Sequence, residues 1–216
     1  QLSAYNSVTW QHPLRGLEAA FSLFNLSLGI FLAFLARILG AMYLLNHIHH
    51  DSLEERLRKA AFNNLLCALP FLLYFLGRLL VMDGYAVEPQ TGAVALVAGK
   101  YLSNLLAMPL VLILLLAGLV LVVAAVALTR FTPRRSGIWL AGPGTVFVGL
   151  ALFFLAGFNH TAFYPSKFDL QSSLTIANAS SSHYTLTAMS YVAIAVPFVL
   201  AYIAYVWRLM DARKLT

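Results

Sequence analysis

Charged side chains are scarce in this chain of 216 residues. Lysine, arginine, aspartate and glutamate together make up 10% of it, whereas 61% of the residues are hydrophobic and the mean hydropathy is +0.80. A water-soluble domain carries about a quarter charged residues, and its apolar residues recur with gaps and not in long runs. The composition therefore excludes a soluble globular protein and predicts one that lies in a membrane.

Cysteine is almost absent as well. The single cysteine, Cys67, lies within an apolar run, so no disulfide within the chain is possible, and we expect a small buried apolar residue. The first residues lack an initiator methionine and have neither the charged start nor the apolar core of a signal peptide. We expect this sequence to be the C-terminal part of a longer protein.

Five apolar segments are long enough to cross a membrane. A transmembrane helix needs about 20 mostly apolar residues to span a hydrocarbon core of about 30 Å. The predicted fold is an all-α polytopic bundle, a single membrane domain over residues 1–216. A kink is expected in the fourth helix at Gly142, Pro143 and Gly144. The predicted helices cover residues 17–45, 60–82, 101–128, 137–158 and 184–207.

Lysine and arginine are concentrated in every second connecting segment. Short loops on the cytoplasmic side of a membrane retain positive charge. The distribution predicts cytoplasmic loops at 46–59 and 129–136, periplasmic loops at 83–99 and 159–183, a periplasmic N-terminus and a cytoplasmic C-terminus. The net charge of +6 therefore indicates membrane orientation and anionic lipid, and nucleic acid is not an expected partner. The basic residues on the cytoplasmic side are Arg56, Arg58, Lys59, Arg130, Arg134, Arg135, Arg208, Arg213 and Lys214; those on the other side are Arg15, Lys100 and Lys167.

Arg37, Arg78 and Asp83 are the candidate structural residues. An ionisable group within a span is costly and is a functional hypothesis by default. Arg37 lies about two thirds along the first predicted span, and we interpret it as a side chain that snorkels to the cytoplasmic interface. Arg78 lies near the periplasmic end of the second span, where we expect a local pair with Asp83 or a contact with a lipid headgroup. No catalytic residue is predicted.

Histidine, the usual axial ligand of a membrane haem, is missing from the middle of every predicted span. His47, His49 and His50 cluster at the cytoplasmic end of the first helix, but residues two apart do not share a helix face. We expect a solvated helix end there and not a metal site. The chain is accordingly expected to bind no haem or metal of its own.

Several short motifs resemble one known family. In the last part of the chain they are Tyr164-Pro165-Ser166, Ser173-Leu174-Thr175, Asn178-Ala179-Ser180-Ser181-Ser182, Tyr184-Thr185-Leu186 and Met189-Ser190-Tyr191-Val192-Ala193; earlier ones are His12-Pro13-Leu14 and Asp83-Gly84-Tyr85. In order and spacing these motifs resemble subunit II of the cytochrome bd quinol oxidases, and they cover nearly the whole chain. The polar stretch from Pro165 to Ser182 is the specific part.

The resemblance implies a bacterial inner-membrane subunit of nine helices, of which this chain would supply the last five, a four-helix bundle and a peripheral helix. It implies quinol oxidation coupled to reduction of oxygen to water, with two haems b and one haem d in a partner, subunit I. The first half of subunit II, membrane lipids, quinol and a small accessory subunit are further implied partners. Some members hold a structural quinone.

The alternative function is a multi-helix transporter or channel subunit, since a broken fourth span and an intramembrane arginine could line a pathway. No inverted repeat is visible among the five spans. As an oxidase subunit, the chain would pack against subunit I, exclude water from the haems and form apolar routes for oxygen. Small residues would permit close helix approach; the candidates are Gly29, Gly40, Ala41, Gly118, Gly149 and Gly157.

Overall fold

Long helices form most of the structure, a computed structural model that describes residues 17–166 and 169–212. Five helices are long and apolar enough to cross a membrane, which confirms the predicted all-α polytopic fold; they are α1, α2, α4, α5 and α7. A 3-10 helix, Leu17–Phe21, comes first, and another, Leu170–Ser172, precedes α6. The elements in chain order are α1 (Leu23–His47), α2 (Asp51–Val81), β1 (Gly84–Val87), β2 (Val94–Val97), α3 (Lys100–Ala107), α4 (Pro109–Phe131), α5 (Ile138–Gly157), α6 (Ile176–Ala179) and α7 (His183–Ala212).

The second helix begins earlier than predicted. It starts at Asp51, so most of the segment 46–59, expected as a loop, is helical and only residues 48–50 separate α1 from α2. The charges that marked a loop stabilise the first turns of this helix instead. Glu54 pairs with Arg58 and Glu55 with Lys59, each one turn apart on the helix surface.

The third predicted span, 101–128, is divided into α3 and α4. Pro109 has no backbone N–H to donate and would clash with the preceding turn of a continuous helix, but it suits the first position of a new one. Met108, which precedes it, has left the helical region, with φ −117° and ψ 79°. By contrast, α5 continues through Pro143, and the kink expected there stays a prediction.

Four of the spans form a bundle in which α1 packs against α2 and α4 against α5, and the two pairs meet through α2–α4 and α1–α5 contacts. One apolar cluster joins α1, α2, α4 and α5 and includes Ile38, Met42, Val126 and Ala141; another joins α3, α4 and α5. The fifth span, α7, has no buried residue in its apolar window. It therefore lies at the periphery, and its apolar surface is available to lipid or to another protein.

The α4–α5 crossing depends on two glycines. A Cβ built on Gly118 would lie 2.7 Å from the carbonyl oxygen of Gly144, and one on Gly144 would lie 2.9 Å from the carbonyl oxygen of Gly118. Gly118 therefore permits the close approach expected of it. Gly29, Gly40 and Gly149 have no atom within 4 Å of the added Cβ, so they do not serve contacts within the described chain.

We predict that Gly118→Ala destabilises the bundle by about 1–3 kcal/mol, since the new methyl group would overlap a backbone oxygen. Gly149→Ala is the matched control, because its Cβ enters open space and alanine has the better helix propensity. Thermal unfolding of the two purified variants in detergent tests this. Equal melting temperatures would contradict the close contact at Gly118.

Candidate functional site

Polar side chains gather at the two ends of the bundle. We call the end formed by residues 48–50 and 132–137 the basic end; it contains the α1–α2 and α4–α5 turns. We call the other the hairpin end; it contains the antiparallel pair β1–β2 and residues 158–166 and 169–182. Each end has hydrogen-bonded polar side chains.

Arg58 organises the basic end. The side chain sits on α2 and is 7% exposed, so its guanidinium is removed from water. It donates hydrogen bonds to main-chain carbonyl oxygens of the α4 terminus and the turn that follows: those of Thr129, Thr132 (2.6 Å), Pro133 (3.0 Å) and Arg134 (3.2 Å). Carbonyls at a helix C-terminus have no partner within the helix and form the negative end of its dipole. Arg58 supplies these carbonyls with hydrogen-bond donors and places a positive charge at the negative end of the dipole. It thereby attaches α2 to the α4–α5 turn.

Glu54 completes this cluster from one turn earlier in α2. Its carboxylate accepts from Arg58 Nη2 at 2.7 Å and from Arg135 Nη2 at 2.6 Å. One carboxylate thus joins two guanidinium groups from separate elements. From the sequence, Arg58 and Arg135 were interpreted only as residues that orient the chain in the membrane. The four-residue spacing of Glu54 and Arg58 was the signal for their ion pair. Nothing in the sequence indicated the hydrogen bonds from Arg58 to the carbonyl oxygens.

We predict that Arg58→Ala lowers stability by about 3–5 kcal/mol, the usual cost of removing one partner from a buried pair. Lys59→Ala is the control, because the Lys59–Glu55 pair is more than half exposed and such pairs contribute about 1 kcal/mol or less. Thermal unfolding in detergent distinguishes the two. A similar loss for both variants would show that Arg58 acts only as a surface charge.

Asn104 is the buried centre of the hairpin end. Its amide is fully buried on α3 and donates to Thr161 Oγ1 at 2.7 Å and to the Leu155 carbonyl at 3.2 Å, and its oxygen accepts from Asn159 Nδ2 at 2.9 Å. Lys100 Nζ donates to the Asn159 carbonyl at 2.9 Å, and partial burial lowers the pKa of this amine. These bonds attach the end of α5 and the segment after it to α3.

The segment after α5 also extends the hairpin. Val87 N donates to the His160 carbonyl at 2.8 Å, and Ala162 N donates to the Tyr85 carbonyl at 2.9 Å. Asn159 and His160 adopt positive φ angles of 55° and 53°, a conformation that asparagine and histidine adopt more readily than most residues. The loop is therefore held by backbone pairing on one side and by Asn104 on the other.

The polar side chains of the motifs that resemble the known family form hydrogen bonds with nearby backbone groups. Ser173, fully buried, accepts a hydrogen bond from Ser166 N at 3.0 Å. Thr175 and Asn178 form a reciprocal capping box around α6, and Asn178 Nδ2 also donates to the Ser173 carbonyl at 3.0 Å. Ser182 accepts from Thr185 N at 3.4 Å at the start of α7. These residues have structural hydrogen-bonding roles in the chain.

A 3-10 turn connects this motif to the hairpin. Asp169 accepts from Gln171 N at 3.1 Å and from Ser172 Oγ at 2.7 Å, and these bonds hold the pKa of the carboxyl below its usual value. The Gln171 side-chain amide forms two hydrogen bonds with the backbone of Val94. Its oxygen accepts from the Val94 N–H and its nitrogen donates to the Val94 carbonyl, both at 3.0 Å. Residues 158–166 and 169–182 thus form a hydrogen-bonded cap over this end of the bundle.

We predict that Asn104→Leu lowers the melting temperature and makes residues 158–166 and 169–182 accessible to protease. The buried Thr161 hydroxyl and the Asn159 amide would lose their partner, at a cost on the order of 1–3 kcal/mol for a buried group left unsatisfied. Ser103→Ala is the neighbouring control, since Ser103 is exposed and bonds only one turn back, to the Lys100 carbonyl. Unchanged protease resistance in Asn104→Leu would contradict the role of this amide.

The three charged residues singled out from the sequence do not come together. Arg37 is exposed on α1, Arg78 is exposed in the last turn of α2, and Asp83 is exposed just before β1. Within residues 17–166 and 169–212, Arg78 and Asp83 form no ion pair with each other. Arg78 instead lies where a cation interacts favourably with a helix C-terminus; its contact with a lipid headgroup stays a prediction.

Histidine and cysteine form no common site in the part of the chain that the structure describes, where no group of three metal-ligating side chains occurs. His47 Nδ1 lies 2.9 Å from the Tyr43 carbonyl oxygen, and His50 Nδ1 lies 3.0 Å from Ser52 Oγ. The expectation that Cys67 is buried was wrong, because its side chain is exposed on α2. Lipid is as apolar as the bundle interior, so a small apolar residue is not driven inward.

A cavity of about 720 Å³ lies between α1, α5 and α7 near the basic end. Tyr43, Trp139 and Trp207 supply aromatic walls, and Asn46 and His47 supply polar groups. Pockets of this size and mixed lining bind small organic molecules. The cavity could therefore hold an amphipathic molecule with a ring or a long apolar chain.

Five apolar spans, a glycine-packed four-helix bundle and polar caps at both ends define a multi-pass helical membrane protein. Residues 4–210 match the family model described as cytochrome bd terminal oxidase subunit II. The chain therefore belongs to the cytochrome bd terminal oxidase subunit II family, which confirms the resemblance drawn from its motifs. No curated protein matches the sequence.

Proposed function

We propose that this chain is the non-haem subunit of a respiratory cytochrome bd quinol oxidase. The observation that carries the proposal is the family match over residues 4–210. The position of the histidines supports it, because none of the five within residues 17–166 and 169–212 lies between the ends of a span: His47, His49 and His50 are at the basic end, and His160 and His183 are at the hairpin end. Two haems b and one haem d would then be held by subunit I.

The reaction of the complex would be oxidation of quinol coupled to four-electron reduction of oxygen to water. The residues of this chain would act by packing. The bundle core, with Ile38, Met42, Ala125 and Val126 essentially inaccessible to water, would exclude bulk water from one side of subunit I. The exposed apolar faces, including all of the span in α7, would contact subunit I, the first half of subunit II, lipids and a small accessory subunit.

Orientation follows from the charges. The basic end brings Arg58, Arg134 and Arg135 together with the start of α2, and positive charge is retained on the cytoplasmic side. We assign this end to the cytoplasm of a bacterial inner membrane and the hairpin end to the periplasm. The C-terminus is then cytoplasmic and the N-terminus of this chain periplasmic.

A structural quinone would fit the cavity beside α7. Its aromatic residues, Tyr43, Trp139 and Trp207, offer flat apolar surfaces to a ring, and the Asn46 amide offers a hydrogen-bond donor to a quinone oxygen. The chain would contribute binding and orientation only. No step of the oxidase reaction is assigned to this cavity.

The alternative, a transporter or channel subunit, gains no support from the helix packing. A pathway between α4 and α5 would need space where the two backbones touch at Gly118 and Gly144. The Arg58 guanidinium and the Asn104 amide are engaged in hydrogen bonds at the two ends of the bundle. They satisfy backbone and loop groups and form no continuous polar path through it.

The decisive measurement is the dithionite-reduced minus air-oxidised visible spectrum of the complex that co-purifies with a tagged copy of this chain in mild detergent. We predict a red-region band of haem d together with haem b bands. A parallel purification from cells with the untagged chain controls for other membrane cytochromes. An intact purification with a featureless spectrum would overturn the oxidase proposal and favour the transporter.

A further inference from the structure

Arg37 lies near the middle of α1, one of the five candidate membrane spans, and on the outside of the bundle. It follows Leu23 by 14 residues and precedes His47 by 10, which places it about 21 Å and 15 Å from the two ends of α1 at 1.5 Å per residue. Its side chain is exposed. The guanidinium therefore faces either lipid or a protein surface that covers α1.

Nothing in the described structure neutralises this charge. Arg37 makes no ion pair within residues 17–166 and 169–212. No acidic residue of the sequence lies in the middle of a span, so no part of this chain can place a carboxylate at that depth. The eight acidic residues are Glu18, Asp51, Glu54, Glu55, Asp83, Glu88, Asp169 and Asp211.

Snorkelling is a poor solution for Arg37. Cα–Cβ bonds in an α-helix point toward the N-terminus of the helix, and the nearer end of α1 is its C-terminal end. The side chain would have to turn back against this direction to reach the interface about 15 Å away. A charged side chain left in hydrocarbon at mid-depth is costly, so such residues normally pair with another group.

Small residues flank Arg37 on the same exposed face. Gly29, Ala33, Ala36 and Gly40 are all exposed, and they follow one another at three- and four-residue spacings that align them along one side of a helix. A Cβ added at Gly29 or at Gly40 would meet no atom within 4 Å. We call this surface, together with Arg37, the α1 stripe. A stripe of small residues allows a second backbone to approach closely in a membrane.

We propose that the α1 stripe binds a transmembrane helix of another polypeptide, one that carries an aspartate or glutamate at mid-membrane depth to pair with Arg37. The small residues allow the approach, and the buried charge sets the register and depth of the contact. A second copy of this chain does not fit, since a two-fold contact through the stripe would oppose two arginines and neither copy has a carboxylate to offer.

The first test replaces Arg37 in the chain co-expressed with its native partners. We expect Arg37→Leu to reduce the amount of co-purifying partner polypeptide at least about tenfold, because the partner carboxylate would be left buried and unpaired, while the amount of this chain in the membrane stays near normal. Arg37→Lys should retain most of the association. Arg37→Leu assembling as well as the wild type, as a lipid-facing position would allow, overturns the proposal.

Steric variants test the stripe apart from the charge. Gly40→Leu should weaken association, whereas Gly77→Leu, the same change at an exposed glycine of α2 with equally open surroundings, should not. If the two variants weakened association equally, the α1 stripe would not be part of the interface.

A crosslink identifies the occupant without any change to Arg37. A photoreactive benzoylphenylalanine at Ala36 should crosslink to another polypeptide. In that polypeptide, an Asp or Glu near the crosslinked residue is then replaced by Lys. This replacement should restore the association that Arg37→Glu has lost. Crosslinks only to lipid, or only to a second copy of this chain, overturn the proposal. The haem spectrum of the wild-type complex is a separate readout: a crosslinked partner in an intact complex whose spectrum lacks haem bands would refute the oxidase proposal and leave this one intact.

Discussion

The structure depends on one constraint: inside a bilayer no water is available to the backbone, so each N–H and C=O must find its partner within the protein. Long helices meet this constraint along the spans. Where the chain must turn, side chains supply the missing partners, as Arg58 does for the last carbonyls of α4 and Asn104 for the end of α5. This explains why the two ends of an otherwise apolar bundle carry side chains that hydrogen-bond to backbone groups.

The same constraint decides what could be predicted from the sequence. Five spans could be predicted, because length and hydropathy are what a membrane requires of a helix. The residues that face inward could not all be predicted, because lipid and core are equally apolar; Gly118 and Gly149 were both expected at close helix contacts, and in the described structure Gly118 makes one and Gly149 does not. The start of α2 was also missed, because the charges of residues 51–59 suit a loop as well as a helix end, although the four-residue spacing of Glu54 and Arg58 was a signal for a helix.

The family motif illustrates a further difficulty in inferring function from residues. Ser173, Thr175 and Asn178 belong to the motifs on which the resemblance was based, and in the structure they hold turns and a short helix in place. They are recognisable because capping geometry requires particular side chains at fixed spacing, a requirement that the apolar spans do not impose. Their presence identifies the fold more directly than it identifies the chemistry, which we assign to the partner subunit.

The contact of Arg58 with the α4 terminus also has a bearing on the order in which the chain is made. Arg58 is synthesised 71 residues before Thr129, whose carbonyl it binds. When the α1–α2 hairpin enters the membrane, the carbonyl acceptors of this guanidinium have not yet been made, and water and Glu54 are its partners at the membrane surface. The arrival of α4 and the turn after it supplies the missing acceptors. Closure of the bundle at that end is thus a late event in biogenesis, after both helical hairpins have been inserted.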